Sequence, residues 1–120
     1  MRVLGIDPGT VRMGYGLLEE TDQVRAVDWG VLAIRSSLPI EERLYRLYAQ
    51  LLDLISKCRP DSLAVEEPFV GKGERQFVGP ALAVGQAQAL VLIAAAGQAI
   101  PVKRYPPAQV KQAIANYGAA

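Results

Sequence analysis

The sequence predicts an α/β fold built on a mixed five-stranded sheet. Three short apolar stretches of strand length come first, and three helical segments then alternate with two further strand-length runs. This order is typical of an antiparallel meander that adjoins parallel strands joined by crossover helices. With 120 residues, 51% of them hydrophobic, the chain can bury one core, so we expect a single domain over residues 1–120.

The opening meander is predicted from three apolar runs separated by turn residues. The first run is closed by Asp7, Pro8 and Gly9, a sequence typical of a buried strand that ends in a turn. A polar triplet, Thr21–Gln23, separates the second run from the third and predicts a hairpin connection. We place the three strands at Arg2–Asp7, Met13–Leu18 and Val24–Ile34.

The next segment predicts an amphipathic helix over Pro39–Lys57. Its apolar residues recur at steps of three and four, Pro39 suits the first helical turn, and Ser36 or Ser37 is expected to cap it. A strand-length run, Ser62–Glu66, follows and ends in acid.

The second half of the chain predicts two more helices around one strand. Pro80–Gln98 is almost wholly apolar and small, which indicates a helix buried against the sheet, with Gly97 as its stop. Ile100–Tyr105 is predicted as the last strand, and Ala108–Tyr117 as a short final helix.

Composition excludes several kinds of chemistry and location. There is one cysteine, Cys58, and no histidine, so an internal disulfide, the usual zinc sites and histidine-based triads are excluded. Catalysis must then rest on carboxylates, hydroxyls, lysines or a bound ion. No stretch has the length of a membrane span, and the N-terminus lacks the layout of a signal peptide, so we expect a cytoplasmic protein without membrane contact.

The charge of the chain is nearly balanced, at +1 overall, but it is unevenly distributed. Residues 1–66 carry 8 basic and 10 acidic side chains, whereas residues 67–120 carry 5 basic and 2 acidic ones. The second half is therefore mildly basic, which fits phosphate contact there but does not require it.

Two acids, Asp7 and Glu66, are the candidate catalytic residues. Each ends a predicted strand, and if the two strands are parallel neighbours, both carboxylates lie at the edge where open α/β sheets place their sites. A shared divalent cation would offset their repulsion, and Mg²⁺ suits a site with few acids and no histidine. The alternative is that Asp7 belongs to an ordinary Asp-Pro-Gly turn and that both acids end their strands at a solvent-exposed edge without a functional role.

Four further patterns, in order along the chain, carry a family resemblance. LGIDPGT with MGYG (Leu4–Thr10, Met13–Gly16), AVEEPFVGK (Ala64–Lys72), ALAVGQA (Ala81–Ala87) and YPPAQVKQA (Tyr105–Ala113) resemble successive signatures of the RuvC family of Holliday-junction resolvases. One such pattern alone is weak, because a D-x-G-T turn also opens actin-like kinases and ATPases. Four such patterns, in the same order as in the family and across nearly the whole chain, make the resemblance specific.

The resemblance implies a fold, an activity and a set of partners. The fold is ribonuclease-H-like, with helices on both faces of the sheet, here lacking the final helix. The activity is magnesium-dependent, symmetrical nicking of four-way DNA junctions by a homodimer that works beside a branch-migration motor of the RuvA and RuvB type.

The resemblance also assigns roles to individual residues. Asp7 and Glu66 match the first two catalytic acids and metal ligands, whereas Glu67, which would point to the opposite face of the strand, is the weaker candidate. Lys111 matches a lysine near the active site and is also a candidate phosphate contact. Phe69 matches an aromatic wedge at the junction centre, with its packing under the loop as the alternative, and Lys72 and Arg75 are candidate phosphate contacts.

Two departures from the family leave alternatives open. The family continues with a further lysine and a helix bearing two more acids, so we expect a domain that is incomplete at its C-terminus and binds metal weakly. A catalytically incomplete module for junction binding or dimerisation is therefore a second hypothesis. The loop after Phe69 is also longer than the family pattern. A third hypothesis, an actin-like nucleotide-binding fragment, is disfavoured because a second phosphate loop and an adenosine motif have no room in 120 residues.

Overall fold

A computed structural model of the protein describes residues 1–66 and 78–105. Within these ranges, five strands form one sheet in the spatial order β3-β2-β1-β4-β5, with two helices joined to it. The predicted mixed five-stranded α/β fold is confirmed. The elements, in chain order, are β1 (Arg2–Asp7), β2 (Arg12–Glu20), β3 (Val24–Ala33), α1 (Ile40–Cys58), β4 (Ser62–Glu66), α2 (Val78–Gly97) and β5 (Val102–Tyr105).

The first three strands form the predicted antiparallel meander. β1 pairs with β2 from Arg2 opposite Glu19 to Asp7 opposite Gly14, and β2 pairs with β3 along its whole length. The register shifts between Leu17 and Leu18, where a bulge inserts one extra residue into β3. β2 extends further than the predicted Met13–Leu18 because backbone pairing continues beyond the apolar run.

The two central strands, β1 and β4, are parallel neighbours, as the site prediction requires. Their register runs from Val3 opposite Ser62 to Ile6 opposite Val65, and β5 continues the parallel pairing on the far side of β4. The connections through α1 and α2 provide the crossovers that parallel strands need. This arrangement brings the carboxyl ends of β1 and β4 to the same edge of the sheet.

Helix α1 packs its apolar stripe on one face of the sheet. Its buried residues are Leu47, Leu51, Leu54, Ile55 and Cys58. The helix ends at Cys58 and is capped by Arg59, whose backbone adopts the left-handed conformation and whose N–H donates to the carbonyl oxygen of Ile55. The guanidinium of Arg2 also donates to the carbonyl oxygen of Cys58, so β1 satisfies one of the unpaired carbonyls at the helix end.

The predicted serine cap of α1 is wrong. Pro39 occupies the N-cap position rather than the first helical turn, no side chain caps the helix, and Ser36 and Ser37 lie in the preceding turn. Pro39 reaches the N-cap because its fixed φ is compatible with the extended backbone there. Glu41 and Glu42, in the first turn, place negative charge against the positive end of the helix dipole instead.

Helix α2 packs beside α1 on the same core. Its buried residues Ala87, Val91, Ala94 and Ala95 join the cluster formed by α1 and by Leu4, Ile6, Leu63 and Val65 of the sheet. The helix ends at Gly97 as predicted, but the left-handed residue that completes its termination is Ala99. Ile100 N–H donates to the carbonyl of Ala95, and Ala99 N–H to that of Ala96, the pattern of a Schellman motif.

No helix in residues 1–66 or 78–105 is both long and apolar enough to cross a membrane. The final helix predicted at Ala108–Tyr117 lies outside the described residues.

Candidate active site at the carboxyl ends of the central strands

Asp7 and Glu66 lie at adjacent positions on neighbouring strands. The β1–β4 register ends with Ile6 opposite Val65, and each acid is the next residue of its strand. Side chains alternate between the faces of a sheet, so both acids project to the face opposite that of the buried Ile6 and Val65. Neighbouring strands are about 4.8 Å apart, which is close enough for two carboxylates to share one cation.

The two carboxylates differ in their exposure to solvent. Asp7 is half-buried, whereas Glu66 retains 6% of its accessible surface. The buried side chain of Gln88, on α2, donates from Nε2 to the backbone carbonyl oxygen of Glu66 at 3.3 Å. This hydrogen bond fixes the end of β4 against α2. Sequence reasoning missed Gln88, although an amide within an otherwise apolar helix is a signal that could have found it.

The turn after Asp7 is held by a close backbone approach and by α1. A Cβ at Gly9 would collide with the carbonyl oxygen of Arg12, so only glycine fits the turn. Thr10, which is buried, accepts a hydrogen bond at Oγ1 from Nη1 of Arg43 at 3.3 Å, and Nε of Arg43 donates to the carbonyl of Leu38 at 3.0 Å. Arg43 therefore ties the Asp7–Thr10 turn to the start of α1.

We expect Gly9→Ala to lower the free energy of unfolding by about 1–3 kcal/mol, because backbone must move to admit the methyl group. Gly14→Ala is the matched control. Its Cβ would meet only the Cβ of Asp7, at an ordinary contact distance of 3.8 Å, so its stability should stay within about 0.5 kcal/mol of the parent. Urea unfolding monitored by circular dichroism measures both. Equal stability of the two variants would show that the turn is not constrained as described.

The donor set at this edge suits a hard divalent cation. Asp7 and Glu66 offer carboxylate oxygens, the ligands that Mg²⁺ prefers, and Mg²⁺ needs only one or two of them because water and phosphate oxygens complete its shell. Among residues 1–66 and 78–105, no group of three or more acidic, cysteine or histidine side chains could hold a metal ion. The described part of the candidate site therefore consists of two carboxylates, those of Asp7 and Glu66.

Several predicted site residues lie outside the described residues. They are Phe69, Lys72, Arg75 and Lys111, together with the weaker candidate Glu67. Among the described basic residues, Lys103 and Arg104 lie on β5 and are exposed. Lys103 is in register with Ala64, two residues before Glu66, so it projects to the same face of the sheet as the acids. Arg104 projects to the opposite face.

The sheet order β3-β2-β1-β4-β5 and the similarity to solved structures define the chain as a ribonuclease-H-like domain. The family model described as crossover junction endodeoxyribonuclease RuvC matches residues 3–120. The chain belongs to the RuvC family, whose members are metal-dependent nucleases.

Relatives and solved structures agree with this assignment. The RuvC crossover junction endodeoxyribonuclease of Roseiflexus sp. (strain RS-1) is 52% identical over 120 residues, which cover 99% of this chain and 69% of the relative. Thermus thermophilus RuvC, solved in complex with a Holliday junction substrate, is 37% identical with a TM-score of 0.79, covering 96% of this chain and 72% of that one. The yeast mitochondrial Holliday junction resolvase Ydc2, at 22% identity and a TM-score of 0.61 over 88% of this chain and 50% of that one, shows the shared fold.

Proposed function

We propose that this protein resolves Holliday junctions by magnesium-dependent hydrolysis of phosphodiester bonds in DNA. The observation that carries the proposal is the placement of Asp7 and Glu66 at neighbouring strand ends within a RuvC-family fold. The complex of Thermus thermophilus RuvC with a Holliday junction supports the choice of substrate. The 120 residues act as one nuclease domain in this proposal.

Asp7 and Glu66 are proposed to bind Mg²⁺ through their carboxylate oxygens. When bound, Mg²⁺ supplies positive charge that polarises the scissile phosphate and favours ionisation of an attacking water. Two hydrogen bonds position the ligands: Gln88 holds the end of β4, and Arg43 holds the turn after Asp7 through Thr10. Gly14 has no side chain, which leaves space beside Asp7. Lys111 is proposed to stabilise the negative charge that develops on the phosphate.

The remaining DNA contacts are proposed from the family pattern. Phe69 would stack against exposed bases at the junction centre, an interaction worth about 1–3 kcal/mol per base. Lys72, Arg75 and Lys111 would contact phosphates, which strengthens binding without reading sequence. A branch-migration motor of the RuvA and RuvB type is the proposed partner on the DNA. The proposed location is the cytoplasm.

We also propose a homodimer that forms through α2. An exposed stripe on this helix follows the alternating spacing of four and three residues that two packed helices use. The described span of α2 carries no charged residue, and Leu82 and Ile93 in the stripe remain largely exposed. Self-complementary contact about a two-fold axis would bury this surface. The stripe consists of Leu82, Gln86, Ala89, Ile93 and Ala96.

We expect Ile93→Lys to weaken the dimer at least about 30-fold, since burying a lysine at the centre of a helix pair costs about 2 kcal/mol or more. Light scattering coupled to size-exclusion chromatography measures the change in mass. Val24→Lys, at an exposed apolar residue of β3, is the control and should remain dimeric. A dimer that persists in Ile93→Lys would place the interface elsewhere.

Cleavage of a synthetic four-way junction tests the proposed activity. The protein is incubated with the junction and with linear duplex of the same sequence, in magnesium and then in chelator. Paired nicks restricted to the junction and dependent on magnesium are expected. Junction binding without nicks would instead assign the protein to the non-catalytic junction-binding class, and equal affinity for junction and duplex would overturn the proposal.

A further inference from the structure

The outer strand β3 presents an apolar rim on the face of the sheet that carries the acids. Trp29 and Val31 are exposed to 50% and 49%. Trp29 lies opposite Gly16 and Val31 opposite Gly14, so neither has a β2 side chain directly opposite it. Within the described residues β3 pairs with β2 alone, which leaves its other edge open. The segment from Trp29 to Ala33 contains no charged residue to discourage pairing with another strand.

The opposite face of the same strand borders an acidic groove against α1, with a volume of about 260 Å³. Asp28 and Leu32 of β3 form one wall, with Tyr15 of β2 beside them. The α1 wall consists of Gln50, Asp53, Leu54, Lys57 and Cys58. The acidic groove and the apolar rim therefore lie on opposite faces of the same strand, β3.

The groove carries a net negative charge from two aspartates and one lysine. Asp28 accepts a hydrogen bond at Oδ1 from the backbone N–H of Trp29 at 2.8 Å. Asp53 pairs with Lys57 at 3.1 Å, but both side chains are about two-thirds or more exposed, so this pair is weak. Burial, and next the charge of Asp28, raises the pKa of both the Tyr15 phenol and the Cys58 thiol, so neither adds charge near pH 7.

We propose that the open edge of β3, from Asp28 to Ala33, binds an extended segment of a partner protein in which apolar and basic side chains alternate. An added strand would hydrogen-bond to the β3 backbone. Its side chains alternate between faces, so apolar ones would cover Trp29 and Val31 while basic ones reach Asp28 and Asp53. The carboxylates select against DNA at this edge, because they repel phosphate.

Trp29 is the sole tryptophan of the chain, so its fluorescence reports directly on this surface. The probes are three acetylated and amidated heptapeptides: VRVRVRV, the scrambled peptide VVRRVRV, and the acidic peptide VEVEVEV. The alternating basic peptide should shift Trp29 emission to shorter wavelength in a saturable way. The scrambled peptide, with the same charge, should bind at least about fivefold more weakly, and the acidic peptide should give no shift.

Variants of the acidic groove test the charge requirement. Asp28→Asn retains an acceptor for the Trp29 N–H, and Asp53→Asn changes an exposed helix residue, so both should fold. Each should weaken binding of VRVRVRV several-fold. Glu41→Gln, at an exposed acid in the first turn of the same helix, is the control and should leave binding unchanged.

Four outcomes would overturn the proposal. They are the absence of a shift with VRVRVRV, equal binding of the scrambled peptide, unchanged binding in both aspartate variants, and tighter binding of single-stranded oligothymidylate than of VRVRVRV at Trp29. The last would assign the rim to nucleic acid. None of these results depends on junction cleavage, because the surface does not include Asp7 or Glu66.

Discussion

Asp7→Asn is expected to lower magnesium-dependent nicking of a four-way junction on the order of 100-fold or more, because it removes one carboxylate ligand of the cation whose charge acts on the reacting phosphate. Asparagine retains the size of aspartate but lacks its charge, so the change weakens cation binding without opening a cavity. Glu66→Gln should act in the same direction, because its carboxylate lies on the neighbouring strand end. Single-turnover assays on a labelled junction measure the loss.

Junction binding should be retained in Asp7→Asn, since phosphate contacts by other residues dominate affinity for DNA. Gel retardation in calcium, which supports binding without turnover at many magnesium sites, separates the two effects. Asp22→Asn, in the exposed hairpin between β2 and β3, is the control and should cleave at the parent rate. Wild-type nicking by Asp7→Asn would remove Asp7 from the catalytic centre.

Leu51→Ala is expected to lower the free energy of unfolding by about 2–5 kcal/mol. Leu51 is fully buried at the middle of α1, in the core shared by the sheet and both helices. Alanine forms helices well, so the loss reports missing packing and the cavity left behind rather than helix propensity. Urea unfolding should show a lower midpoint with an unchanged slope.

Leu51→Met is the matched control, because it nearly conserves volume and should cost less than about 1.5 kcal/mol. The loss in the free energy of unfolding expected for Leu51→Ala is a large part of the total stability of a domain of this size. A loss below about 1 kcal/mol would show that Leu51 is not enclosed as the structure places it.

The parts of the fold that follow from periodicity were predictable from sequence. β1 and β4 have the predicted bounds, and the helix predicted at Pro39–Lys57 is displaced by one residue at each end. Both strands are largely apolar runs that end in an acidic residue, and the helix has an apolar stripe, so local pattern and tertiary packing agree. The sequence placed Asp7 and Glu66 side by side only on the condition that β1 and β4 are parallel neighbours, a condition that the sheet order satisfies.

The parts that depend on contacts between distant residues were not predictable. The hydrogen bond from Gln88 to the Glu66 backbone and the link from Arg43 to Thr10 join residues 22 and 33 positions apart. No local pattern indicates such pairs. The absence of the predicted serine cap was not predictable from local pattern either. Ser37 has a side chain that could cap a helix, but the chain turns before α1, so Pro39 occupies the N-cap position.

Binding of Mn²⁺, a paramagnetic substitute for Mg²⁺, tests the central claim that Asp7 and Glu66 form one metal site. In amide NMR spectra, low concentrations of Mn²⁺ should selectively broaden the signals of Asp7, Glu66 and the paired Gly14. Asp28 and Asp53, in the acidic groove on the other face, should keep sharp signals. Broadening centred on those two aspartates, or spread evenly over all acidic residues, would contradict the account.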